Sequence, residues 1–257
     1  MTDVYWFEQS AASVPDGEAW LSSVEANRLR AIRFPKRRAD WLLGRWTAKN
    51  AVALHLGIPA QLHELSQIEI RSAPSGAPEV FLGNEPASVA ISLSHRARVG
   101  ACALAPSGVL LGCDLEIVEP HGDAFAADYF TTEELALVSD LAEPHRLVLL
   151  CLLWSAKESA LKALQVGLRL DTRNLTVSFP RRFEGPTKNQ ADPAQDSALG
   201  IRASSQRNDW SPLQVCTSCH QVFHGWWSQT GDLLRTVLAI PSSNLPVTLA
   251  HERALTR

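Results

Sequence analysis

WSAKESALKAL, residues 154–164, follows the apolar run LVLLCLLW, residues 147–154. Its reading decides the architecture. Continued at helical spacing, Leu149, Leu153, Ala156, Ala160 and Ala163 form one apolar stripe. Cys151, Ser155, Glu158 and Lys162 recur three to four residues apart on a different face. The segment therefore predicts a long core helix, about residues 144–166, ending near Gly167. One face packs and another presents a carboxylate and an ammonium group. Taken alone, Glu158 and Lys162 are a surface i, i+4 pair worth about 0.3–0.5 kcal/mol. Lys157 lies on neither face and has no assigned role.

Working outward, the strand VLLGCDLEIV, residues 109–118, alternates strictly. Gly112, Asp114 and Glu116 share one face; Val109, Leu111, Cys113, Leu115 and Ile117 share the apolar other. Two carboxylates at i, i+2 repel unless water or a cation screens them. On its own this pattern reads as an acidic strand facing solvent. If Glu158 of the helix faces Asp114 and Glu116, three carboxylates converge on one hard cation such as Mg²⁺. Lys162, one turn on, would then meet the anion that the cation holds, and a diphosphate suits both.

The rest of the chain supplies more helices and short strands. VYWFEQ (4–9) reads as a first strand, and helical patterning runs from about residue 20 to 56, broken near Phe34-Pro35. IEIRSAPSGAPEVFL (68–82) reads as strand, turn, strand, and VAISLSH (89–95) and VGACALAP (99–106) as two more strands. TTEELALVSDL (131–141) has a threonine cap and an acidic first turn. LTVSFP (175–180) is a strand, and QVFHGWWSQ (221–229) and RTVLAIPS (235–242) form a closing strand pair. Residues 184–212 are polar and Pro/Ser/Asp-rich and read as a long loop or insertion. Local hairpins with mixed helices favour α+β over a parallel doubly wound sheet. The order is helix then strands, twice: a first half over residues 1–107 and a second over 108–257. The halves show a similar order of elements and no apparent sequence repeat.

Basic side chains crowd residues 28–49: Arg28, Arg30, Arg33, Lys36, Arg37, Arg38, Arg45 and Lys49, with Asp40 as the one acid among them. Either these are solvated, snorkelling side chains, or they clamp phosphate, which suits the fork of arginine donors. His95 ends an apolar strand face and fits a structural edge or an anion contact.

The whole chain bounds these readings. It has 257 residues, 46% of them hydrophobic, enough for a sizeable core. A net charge of −3 excludes a global electrostatic grip on nucleic acid. No run is long enough to span a membrane, and the start lacks the pattern of a secretion signal, so a cytoplasmic protein is expected. Five cysteines argue against a disulfide framework. Cys216-Thr-Ser-Cys219-His220 has the spacing of c-type haem attachment, and His224 would complete a Cys₂His₂ set. The missing export signal speaks against haem. Ligands crowded into nine residues without a second cysteine pair speak against zinc.

Three separated segments resemble one family. GVLLGCDLE (108–116) resembles the G-(I/V)-D-(I/L)-E motif of 4′-phosphopantetheinyl transferases. WSAKESALKALQVGLRLDTRNLTV (154–177) resembles their W-(S/T)-x-K-E-(A/S)-x-x-K segment and the strand beyond it. ISLSHRARVGACAL (91–104) resembles their (I/L)-S-x-S-H strand and its hairpin partner. SSVEANRLRAIRFPKRRADWLLGR (22–45) is similar to the larger, pseudodimeric type, the kind that activates surfactin synthetase. The resemblance implies a pseudodimer of two similar α+β halves with coenzyme A between them, working as a monomer. It implies Mg²⁺ on Asp114, Glu116 and Glu158, with Glu158 and Lys162 as the catalytic pair. It implies coenzyme A phosphates on Lys162, His95, Lys36, Arg38, Arg45 and, more weakly, Arg71. The implied partner is an apo acyl- or peptidyl-carrier protein. The readings that compete with it are a degenerate, non-catalytic binder of coenzyme A or a carrier, and another Mg²⁺-dependent phosphoryl-transfer enzyme. Two departures stand out: Gly76-Ala77-Pro78 where Gly-Lys-Pro is frequent, and Cys113 where isoleucine or valine is usual.

Overall fold

The computed structural model describes residues 1–180 and 210–250. By its internal contacts the chain divides into two compact units, Thr2–Val109 with the segment from Asn244 onward, and Leu110–Ser243. Among the described residues no helix is long and apolar enough to cross a membrane.

In the first unit, β1 (Tyr5–Ser10) precedes α1 (Ser23–Arg30) and α2 (Pro35–Leu56). α1 starts at a capping box: the Ser22 hydroxyl accepts from the Glu25 amide, and the Glu25 carboxylate accepts from the Ser22 amide. Proline opens α2 and Gly57, at φ 69°, ends it. The predicted break at Phe34-Pro35 is thus the gap between two helices. The short α3 (Leu62–Ser66) leads to β2 (Ile68–Ser72), β3 (Pro78–Leu82), β4 (Glu85–Pro86), β5 (Val89–Arg96) and β6 (Val99–Pro106). β6 lies between β1 and β5, antiparallel to both, while β2, β3 and β4 form a separate ladder. α2 lies across these strands and buries Ala48, Ala51 and Val52 with Trp20, Leu29, Ile68, Ile70 and Leu104.

The second unit contains β7 (Leu110–Ile117), α4 (Asp123–Tyr129), α5 (Thr132–Ser139), α6 (His145–Ala163), β8 (Leu175–Ser178), β9 (Ser211–Thr217), β10 (Val222–Thr230) and β11 (Leu233–Ile240). Its antiparallel sheet has the order β7-β11-β10-β9-β8. α6 packs on β7 and β11. All five residues of its predicted stripe are buried, and so are Leu150, Leu152 and Leu161 on other faces. α5 begins with a second capping box, between Thr131 and Glu134. The proposed insertion falls mostly outside the described residues, but its last two residues, Ser211 and Pro212, belong to β9 and pair with Trp227 and Trp226.

The units share more than element order, which corrects the expectation of no sequence repeat. Trp46-Thr-Ala-Lys49-Asn50 on α2 matches Trp154-Ser-Ala-Lys157-Glu158 on α6. The two lysines do the same work. Lys49 Nζ meets the capping-box Glu25 at 2.5 Å and donates to the carbonyls of Trp20 and Leu65. Lys157 Nζ meets the capping-box Glu134 at 2.7 Å and donates to the carbonyls of Tyr129 and Thr172. Trp20 and Tyr129 each lie two residues before the helix cap, Ser22 or Thr131. The second oxygen of each glutamate accepts a strand amide, from Ile70 in one unit and Val177 in the other. Both lysines are fully buried. Burial lowers the pKa of each, against the raising pull of its glutamate. Lys157, unassigned from sequence, is therefore an internal tie of α6 to α5 and to the turn before β8.

Gly112 on β7 has a steric cause. A Cβ there would overlap the carbonyl oxygen of Ser159 on α6, and no flexible side chain stands in the way to yield. Gly112→Ala is expected to push α6 off the strand and lower stability by about 1–3 kcal/mol. A urea melt checks this, and a wild-type midpoint would contradict it.

Candidate functional site

The close approach at Gly112 sets β7 and α6 so that polar groups from both meet. Asp114 is 5% exposed. Its Oδ1 accepts from Lys162 Nζ at 2.7 Å and its Oδ2 from the Ser155 hydroxyl at 3.0 Å. Lys162 also donates to the Cys113 carbonyl at 2.9 Å. The lysine thus reaches from helix to strand. Glu116, two residues along and half-buried, accepts from the Trp154 indole N–H at 3.2 Å. That indole is held edge-on by Phe125 and Tyr129, with ring centroids 5.1 and 4.9 Å away.

The electrostatics show how crowded the acids are. The Glu158 carboxyl is pushed up from its ordinary pKa by burial and by the negative charge of Asp114, with Lys162 opposing. Burial alone would lower Lys162, but Asp114 and then Glu158 outweigh it, so its pKa is raised and the ammonium form is held. Beside the acids lies a buried hydroxyl cluster. Thr236 Oγ1 on β11 is 2.9 Å from Ser155 Oγ and 2.7 Å from Ser159 Oγ. Thr236 stands opposite Asp114 in the strand register.

Asp114, Glu116 and Glu158 supply hard oxygen donors of the kind a divalent cation such as Mg²⁺ takes. Glu158 is raised first by burial and then by the negative charge of Asp114, and a bound cation would oppose both effects. Among the described residues no three histidine, cysteine or acidic side chains are already gathered to hold a metal. The donor set fits the cation in chemistry. The carboxylates are held by Lys162, Ser155 and Trp154 rather than arranged round one point.

The remaining sequence candidates lie in the first unit. Lys36 is exposed in the first turn of α2. Arg38 donates to the Leu29 carbonyl and pairs with Glu18 at 3.1 Å. Arg45 stacks over Trp41 and lies 3.8 Å from Glu25, and burial lowers its pKa. Arg71 pairs with Glu69 at 2.8 Å over the Phe81 ring. His95, at the end of β5, is 3.6 Å from Asp40 on α2. Each of the last four thus has a carboxylate neighbour. In the second unit, Cys216 lies in β9, Cys219 in the following turn, and His224 Nδ1 contacts the Gln214 side chain.

Sequence reasoning placed Ser155 on the polar face of α6 but gave it no partner, and it missed Thr236 altogether. No local signal marks Thr236, because only the pairing of β11 with β7, more than a hundred residues apart, brings it under Asp114.

Comparison with known proteins gives three findings. The family model ACPS, the 4′-phosphopantetheinyl transferase superfamily, matches residues 110–212. A Synechocystis sp. relative assigned to the 4′-phosphopantetheinyl transferases is 30% identical over 217 residues, 80% of this chain and 83% of its own. The solved holo-[acyl-carrier-protein] synthase of Thermotoga maritima is 18% identical with a TM-score of 0.31, over 51% of this chain and 76% of that one.

Proposed function

This chain belongs to the 4′-phosphopantetheinyl transferase superfamily, and we propose that it moves 4′-phosphopantetheine from coenzyme A to a serine of an apo acyl- or peptidyl-carrier protein. The products are the holo-carrier and adenosine 3′,5′-bisphosphate. The observation that carries this reading is the meeting of Asp114, Lys162 and Ser155 across β7 and α6, with Glu158 and Glu116 alongside. Asp114, Glu116, Glu158 and Lys162 stand in the segments that resemble the family's motifs, and hydrogen bonds join Asp114 to Ser155 and Lys162.

The roles divide by chemistry. Mg²⁺, when bound by Asp114, Glu116 and Glu158, supplies positive charge to a diphosphate. Lys162, held as ammonium by Asp114, neutralises phosphate charge, and its raised pKa suits it to that more than to giving up a proton. Glu158 is the candidate base for the carrier serine, because it is the half-buried carboxylate on the helix face beside Lys162. Trp154 holds Glu116 through its indole N–H. Lys36, Arg38, Arg45, Arg71 and His95 are proposed contacts for the remaining coenzyme A phosphates. The four with acidic neighbours would exchange a carboxylate for a phosphate oxygen. The repeat between the units supports the pseudodimeric type, in which one chain works as a monomer. Asn50 and Leu54 of the first unit stand where Glu158 and Lys162 stand in the second, so the proposed chemistry resides in the second alone.

The test is chromatography of a reaction containing the protein, coenzyme A, Mg²⁺ and an apo-carrier. Adenosine 3′,5′-bisphosphate should appear only when all are present. Coenzyme A cleaved equally well without a carrier would favour a hydrolase instead.

A further inference from the structure

Three buried hydroxyls connect Asp114 to β11 and to the next turn of α6. Ser155, Ser159 and Thr236 are each 0% exposed. Each hydroxyl has one proton to give. Ser155 donates its proton to Asp114 Oδ2. Thr236 donates to the Ser155 carbonyl at 3.0 Å, and its oxygen lies 2.9 Å from Ser155 Oγ. With the Thr236 proton on the Ser155 carbonyl, Ser159 is the donor at their 2.7 Å contact. Contacts thus run from Ser159 through Thr236 to Ser155, and Ser155 donates to Asp114.

We infer that this buried hydroxyl chain, by holding Ser155 in place, positions the Asp114 carboxylate for its cation, making Thr236 and Ser159 positioning residues of the site. The inference rests on the metal reading given under the proposed function. Hydrogen bonds among buried groups strengthen one another. They fix one carboxylate oxygen from below while Lys162 holds the other. The first unit offers an internal contrast. Thr47, the counterpart of Ser155, is a buried hydroxyl with no partner of its own there, and Ala51 replaces Ser159. The chain of hydroxyls is present in the unit that has the acids and lacking in the one that does not.

The experiment follows Mn²⁺ binding by the paramagnetic resonance signal of the free ion, with saturating coenzyme A. Thr236→Val keeps the shape and removes the hydroxyl, and it should raise the Mn²⁺ Kd about tenfold. Thr236→Ser should restore wild-type binding, which a role in packing alone would not predict. A folded Thr236→Val protein that binds Mn²⁺ like the wild type overturns the inference. Should Thr236→Val fail to fold, Ser159→Ala reads the chain from its far end: a raised Kd supports it and a wild-type Kd overturns it. A wild type that takes up no Mn²⁺ overturns it too. If Mn²⁺ binding responds to Thr236→Val in a protein that modifies no carrier, the transferase reading fails and the chain stands. If carriers are modified but Thr236→Val binds normally, the chain fails and the transferase reading stands.

Discussion

Glu158→Gln is expected to cut phosphopantetheine transfer by about 10²–10⁴-fold, the contribution of a positioned general base. The substitution keeps size and removes both charge and basicity. It should not unfold the protein, because Glu158 is half-buried beside Asp114 and its carboxyl is already disfavoured there by burial and like charge. Relieving that repulsion should leave the melting temperature at or slightly above the wild-type value. The combination is diagnostic: lost turnover with kept or improved stability marks a group retained for chemistry. A single-turnover assay with excess enzyme, beside a thermal melt, checks it. Wild-type turnover would remove Glu158 from the mechanism.

Lys157→Met should do the reverse and strike the fold. The ammonium is fully buried, 2.7 Å from Glu134, and donates to the carbonyls of Tyr129 and Thr172. Methionine leaves Glu134, itself 1% exposed, as a buried anion without its cation. Breaking such a pair from one side costs about 3–5 kcal/mol. Removing both charges, in Lys157→Met with Glu134→Gln, should recover much of that loss, since the stranded charge is the main penalty. Denaturant melts of the two proteins check this, and equal midpoints would contradict it. Lys49 and Glu25 repeat the arrangement in the other unit, where the next residue is Asn50. The motif lysine beside the proposed base is thereby assigned to architecture, not to turnover.

What could be read from the sequence was what local chemistry writes. Pro35 and the threonine cap with its acidic first turn at residues 131–134 mark helix starts by backbone rules that need no distant partner. The α6 stripe was legible because apolar spacing reports a buried face. β9 was not, since its few alternating residues, Leu213 and Val215, adjoin a polar run that hides them. Lys157 stayed without a role because its partners sit at 129, 134 and 172, and only packing collects them. For the candidate site, the positions were legible and the wiring was not. Asp114, Glu116, Glu158 and Lys162 stand out by residue type and spacing. The contacts that hold them depend on the register of β11 and on the indole of Trp154. The repeat between the units was equally faint, because the match is a five-residue stretch containing each lysine.

The most direct measurement is the intact mass of an apo-carrier after incubation with the protein, coenzyme A and Mg²⁺. The prediction is a gain of one phosphopantetheine group, lost when the carrier serine is replaced by alanine. A panel of acyl and peptidyl carriers whose masses stay unchanged would contradict it.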